Sequence, residues 1–247
     1  MATFFTDFFE VDPDMLEEWG AFIISLVNDL PLFIDPFLLF NSENEEYRRL
    51  HDEIVHYLVF LKDRSASGPV GDDLLRSWYC FPEVKQNWLG FSVTGNGGSG
   101  LGFDFATALH SNLHRLFADF GQERITTGSH LEKVCLTRSG IGRDNISDFT
   151  TNLVKDFLCK YTETFARKHL SPDKIRRVAV NKGRFNFETE SWERGTYDPA
   201  FLTRASACRL NGAPPACIRG GRWGGRCGRE ARRYGPGAAR RAAWVRV

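Results

Sequence analysis

Asp148, Asn152 and Lys155 close the stretch "SGIGRDNISDFTTNLVK", which opens at Ser139 and also carries Asp144. On a helix, residues three and four apart stack above one another, so Asp148, Asn152 and Lys155 fall along one line, with Asp144 ahead of them. Two carboxylates and an amide are hard oxygen ligands, suited to Mg2+ or Mn2+. Gly140 and Gly142 allow an irregular turn ahead of the helix, and Asp144 can cap it. A plainer reading uses the same residues as a capped helix with a polar stripe and Arg143 pairing locally. Ile146, Phe149, Leu153, Phe157 and Tyr161 form the core-facing side. The polar line runs close to that side and is expected at its edge.

Three other constellations could carry chemistry. Glu83 and Lys85 form an E-x-K in "FPEVKQNW". In metal-dependent nucleases such an acid helps hold the cation, while the lysine stabilises developing phosphate charge. Pro82, however, is a poor residue for a central strand. Gly95, Gly97 and Gly100 match G-x-G-x-x-G between a predicted strand and a predicted helix, where backbone N–H groups could approach a phosphate. The acid-bearing second strand of that fingerprint is missing, and Asp104 would repel an anion. A flexible turn with caps accounts for the glycines better. His110 and His114 stand four apart, a spacing that can hold one metal, without the glutamate of an HExxH motif or an evident third ligand.

These residues need elements to position them. Asp12, Pro13 and the apolar series Met15, Trp19, Ile23 and Val27 predict a helix from Asp12 to Leu30. "PLFIDPFLLF" reads as extended, and Ser42 to Glu45 as a capping box opening a long helix. Residues 72–81 predict a short helix, 87–93 a strand, and 103–120 a helix closed by Gly121. The longest helix is expected from Asn145 to Leu170, unbroken. "RRVAV" and "RFNFET" are expected to pair as two final strands. Together these give a helix-rich α+β body with a small sheet, over residues 1–197.

The formal charge of +1 conceals two unlike regions. Residues 1–200 hold thirty acids and twenty-one bases, whereas 201–247 hold eleven arginines and a single acid, Glu230. A strongly negative body argues against broad nucleic-acid binding, though a local basic groove can survive it. "AFIISLV" is too short to span a bilayer, and early acids argue against a leader peptide. Scattered cysteines without CxxC spacing suit a reduced, cytoplasmic protein.

From residue 198 the composition shifts to Gly, Ala, Arg and Pro, with no lysine after Lys182. Such a tail is expected to be disordered, because it cannot bury enough apolar surface to offset its ordering entropy. It reads either as a basic segment contacting nucleic-acid phosphates or as out-of-frame translation of GC-rich DNA. The second reading accounts for the abrupt switch, the missing lysines and three isolated cysteines together. It also implies a truncated body.

"FPEVKQNWLGFS", "GNGGSGLG", "HLEKVCLT", the GIGRD-x-ISD-x-T-x-N block and "FNFETESW" resemble a family of uncharacterised bacterial proteins that travel with restriction and phage-defence loci. The likeness spans residues 5–197. It marks Glu83, Lys85, Glu132, Asp144, Asp148 and Asn152 as positions inside shared motifs and carries over no activity. Two functions are then expected to compete. One is a metal-dependent nuclease or phosphodiesterase, with Asp144, Asp148 and Asn152 at the metal and Glu83, Lys85, Asp144 and Asp148 as catalytic groups. The other is a non-catalytic partner or sensor subunit of a bacterial defence complex. Nucleotide binding at Gly95–Gly102 is a third candidate.

Overall fold

The structure is a computed structural model that describes residues 4–26, 32–82, 100–116, 143–201 and 243–244. Its longest helix, α4 (Glu45–Ala66), begins where the Asn44 side chain accepts the N–H of Glu46. Ser42, the expected cap, instead accepts the N–H of Asn44, two residues further on. Glu45 and Glu46 complement the helix dipole in the first turn, and Arg64 does so in the last. Leu50, Ile54, Tyr57, Leu58 and Leu61 recur at helical spacing and are all buried.

Against that face pack α5 (Asp72–Trp78) and α6 (Phe103–Leu116), the latter through Ala106, Leu109 and Leu113. Phe149 of α7 (Arg143–Leu153) and Phe185 complete this main core. The Tyr57 hydroxyl donates to the Trp78 carbonyl at 2.6 Å and accepts from Trp192 Nε1 at 3.2 Å. One buried phenol thereby joins α4, α5 and the hairpin.

A second, smaller core lies at the N-terminus. The short helices α1 (Phe5–Phe9) and α2 (Pro13–Glu18) bring Phe9, Val11 and Leu16 against Phe165, Ala166 and Leu170 of the last long helix region. Asp12 and Pro13 start α2 as expected, but it ends long before Leu30. Gly20 takes a left-handed backbone, residues 21–24 are not helical, and Ser25 bridges to Phe4. Met15 and Ile23 consequently stay exposed, while Trp19 packs on Tyr161 and Phe165. The expected extended stretch after Pro31 is split into β1 (Leu32–Phe33) and α3 (Pro36–Phe40). The backbone of β1 pairs in parallel with β4 (Ala243–Trp244).

The expected unbroken helix divides at Val154 into α7 and α8 (Lys155–His169). Thr151 and Asn152 both bond back to carbonyls four residues earlier, at 2.6 and 2.8 Å. Such back-bonding bends helices, and the break follows at once.

The final strands are also rearranged. "RRVAV" and "RFNFET" contribute to one strand, β2 (Val178–Asn186), whose antiparallel partner β3 is Ser191–Tyr197. The register shifts between Val180 and Arg184, around Lys182 with its left-handed φ of 52°. A bulge there breaks the apolar alternation, which is why one strand reads as two. Backbone pairing on the body continues past Tyr197, with Ile175 bridging Ala200 and Phe201 N–H bonding to Lys174. The result is a helix-rich α+β fold with a small antiparallel sheet. Among the described residues no helix is long and apolar enough to cross a membrane.

Tyr197 shows how tightly hairpin and helix are matched. Its hydroxyl donates to Asp156 Oδ1 at 2.6 Å, and a Cβ at Gly195 would overlap the ring. Gly195→Ala must displace the ring and strand the Asp156 bond. The expected loss is about 2–3 kcal/mol in urea denaturation, from overpacking plus a charge-assisted hydrogen bond. An unchanged midpoint would show that the ring has room to move.

Candidate functional site

Lys182 sits at the bulge of β2, and its ammonium ends under the C-terminus of α5. There Nζ donates to the carbonyls of Arg76, Ser77 and Cys80 at 3.0, 2.6 and 2.7 Å. A helix C-terminus offers unpaired carbonyls and negative dipole, so the lysine serves as its cap. It also lies 5.4 Å above the Phe81 ring. The segment Cys80–Pro82 is thereby fixed on one side by β2.

On its other side the segment is held by Asn152, whose Nδ2 donates to the Pro82 carbonyl at 3.2 Å as well as to Asp148 O. Phe81 itself pairs with Leu101 through two backbone bonds and packs edge-on against Phe149. The start of the E-x-K segment and the GIGRD-x-ISD helix, about seventy residues apart, therefore meet through one amide.

The polar line runs deeper than an edge. Asn152 and Lys155 are 1% and 2% exposed. Asn152 Oδ1 and Thr150 Oγ1 are buried without a hydrogen-bond partner. Among the described residues no ion pair involves Lys155, because the nearest acids on α8 are engaged elsewhere. Asp156 takes Lys160 and Tyr197, while Glu163 takes Arg167 and the backbone of Asp198. Burial pulls the Lys155 ammonium down to about 8; Cys159 opposes that shift and Lys182 adds to it by repulsion. Burial likewise lowers Lys182 to about 8 and pushes the Cys159 thiol up to about 12. Cys159 is thus an inert thiol, not a nucleophile.

Asp144 lies in the first turn of α7, and Asp148 is half-buried one turn above Asn152. Glu83, Lys85 and Glu132 lie outside the described residues, as do Gly95 and Gly97. His110 is an internal brace, with Nδ1 3.0 Å from the Tyr79 hydroxyl and the two rings edge to face. Among the described residues no three His, Cys, Asp or Glu side chains gather closely enough to hold a metal ion. Asn152, an amide, contributes an unpartnered buried oxygen to the line. Lys155 and Lys182 are both ammonium groups held below their ordinary value by burial. Sequence reasoning had placed Lys155 on the stripe without a role and had given Lys182 none. The sole signal for Lys155 was its position on the line beside an apolar face.

A family described as a domain of unknown function, DUF8370, matches residues 10–206. The chain belongs to this family. Its match includes both segments that meet at Asn152 and runs past Asp198, whose carboxylate pairs with Arg167 and Arg177. No curated protein and no solved structure matches the chain.

Buried ammonium groups leave a pH signature. The folded chain releases the Lys155 proton near pH 8, against an ordinary value of 10.5. Between those values the unfolded chain binds more protons, so stability rises with pH; below 8 the penalty is fully present. Lys155→Met is expected to raise stability at pH 7 by on the order of 2 kcal/mol. It should also flatten the rise between pH 8 and 9.5, leaving the share due to Lys182. Denaturation midpoints across that range check both effects, and a destabilised Met variant would refute the unpaired charge.

Proposed function

We propose that this protein is a metal-dependent phosphodiester hydrolase acting on nucleic acid, in the bacterial cytoplasm and in the service of phage defence. The observation that supports this reading is the Asn152–Pro82 hydrogen bond. It joins the chain one residue before Glu83 to the helix that bears Asp144 and Asp148, which supports a site that draws on both segments. Mg2+ or Mn2+ held by Asp144, Asp148 and the Asn152 oxygen would polarise the phosphoryl oxygen and lower the pKa of a bound water. In such a hydrolysis, water would form the new P–O bond as the P–O bond to the leaving sugar oxygen breaks, its proton passing to solvent and the sugar oxygen leaving protonated. Lys85 would offset charge on the phosphate, and Glu83 would add a further oxygen ligand. The arginine-rich segment beyond residue 201 belongs to this proposal only as an out-of-frame sequence.

A second reading has its own support. Asn152 and Lys155 are almost fully buried, as expected of a polar group that fixes a packing arrangement. On this reading the protein is a non-catalytic partner or sensor subunit of a defence complex. Cleavage of single- and double-stranded oligonucleotides with and without Mg2+ or Mn2+ separates the two. The hydrolase reading expects strictly metal-dependent cleavage, falling at least a hundredfold in Asp144→Ala and in Asp148→Ala. If both variants cleave as well as the parent, it is wrong.

A further inference from the structure

We propose that the ion pairs centred on Asp198 form a salt-sensitive latch, which keeps the N-terminal module (residues 4–26) docked on α8. The latch is independent of the hydrolase reading and stands if that reading fails.

Asp198 directly follows β3, and its carboxylate receives guanidinium groups from two other segments. Arg167 of α8 donates to Oδ2 at 2.6 Å, and Arg177, just before β2, donates to Oδ1 at 3.2 Å. Arg167 also pairs with Glu163 at 2.8 Å, and Glu163 accepts the Asp198 N–H at 3.1 Å. Two acids and two arginines from three segments thus meet in one cluster. The side chains of Glu163 and Asp198 are largely covered, at 16% and 19% exposed, while Arg167 and Arg177 are 56% and 75% exposed. A covered carboxylate depends on its partners, because losing them leaves a charge held away from water. The exposed guanidiniums remain open to screening by salt.

The cluster fixes the backbone on either side of it. Arg176 N–H bonds the Pro199 carbonyl, Ile175 bridges Ala200, and Phe201 N–H bonds the Lys174 carbonyl. Ile175 and Ala200 pack against the core of Phe9, Val11 and Leu16. Lys174 reaches the module directly, donating to the Phe8 carbonyl and to Glu10 Oε2, both at 3.1 Å. This short ladder is one wall of the module's seat. The other is α8, through Phe165, Ala166 and the bond from Tyr161 to the Trp19 carbonyl. Arg167 belongs to α8 and Asp198 to the ladder, so their ion pair ties the two walls together.

The module is separable from the rest. Its helices have five and six residues, too few to persist without tertiary contacts. Its apolar cluster is distinct from the main core. Units of this kind open below the free energy of global unfolding. Screening the Asp198 pairs loosens one wall of the seat and leaves the main core closed. Opening then uncovers Phe165, Ala166 and Leu170, which the docked module hides.

Hydrogen exchange of the full chain, followed by NMR, tests the latch. The amides to follow are Phe5, Val11, Leu16 and Trp19, all bonded within the module, with Ile54 and Leu58 of α4 as reference. Raising sodium chloride from about 0.1 M to about 1 M shortens the screening length from ~10 Å to ~3 Å. Module amides of the parent are expected to exchange about tenfold faster at the higher salt, with the α4 amides unchanged. Asp198→Asn keeps the shape and removes the charge, so it should show the fast rate already at low salt and respond little to more. Should that variant fail to fold, Arg177→Gln, altered at an exposed side chain, is expected to move the module amides in the same direction. Module amides of the parent that ignore salt overturn the proposal. So does a variant that exchanges like the parent. Equal acceleration of the module and of α4 also overturns it, because the cluster would then support the whole fold without gating the module.

Discussion

A lysine ammonium carried into an interior must be surrounded by oxygen, and Lys182 meets that demand with three carbonyls at the end of α5. Much else follows from this one contact. To aim the side chain there, the backbone adopts a left-handed conformation, which forces a bulge and shifts the strand register. The contact also anchors Cys80, so Phe81 and Pro82 enter the core at a set position. Asn152 then finds the Pro82 carbonyl, and the line of α7 is brought onto the same segment. Helix end, hairpin and candidate site are thus one connected arrangement.

The local rules carry a reader of the sequence some distance. Helices α4, α5 and α6 lie where the sequence pattern puts them, and Asp12 with Pro13 starts α2 where expected. What misleads is tertiary in origin. The apolar series through Ile23 suggests a long helix, yet Gly20 turns the chain so that residue 25 can bridge Phe4. Val154 is an ordinary helical residue in composition. The break there comes from side-chain back-bonds of Thr151 and Asn152 that periodicity does not register. Of the site, the line from Asp148 to Lys155 is readable from spacing alone. Its depth is not, because depth depends on Pro82, a partner distant in sequence.

The buried line sets local chemistry against global packing. A helix that placed apolar residues at 152 and 155 would be easier to bury, and this one keeps an amide with an unmet oxygen and a lysine without an ion-pair partner among the described residues. Conflicts of this kind mark places where a sequence serves something besides stability. Elsewhere the same fold resolves such a conflict at Tyr57, whose buried hydroxyl satisfies a donor and an acceptor.

The smaller core has a consequence in time. Phe5, Phe8, Phe9 and Trp19 leave the ribosome well before the surface that receives them, which is built from α8 and the turn after it. The bonds that close this contact, Tyr161 to Trp19 and Lys174 to Phe8, span 142 and 166 residues. At translation speeds of about 5–20 residues per second, the aromatic N-terminus waits roughly 7–30 seconds for its partner. During that interval it is a sticky nascent segment with nothing of its own to cover it, and holding it soluble falls to the ribosome surface and to chaperones.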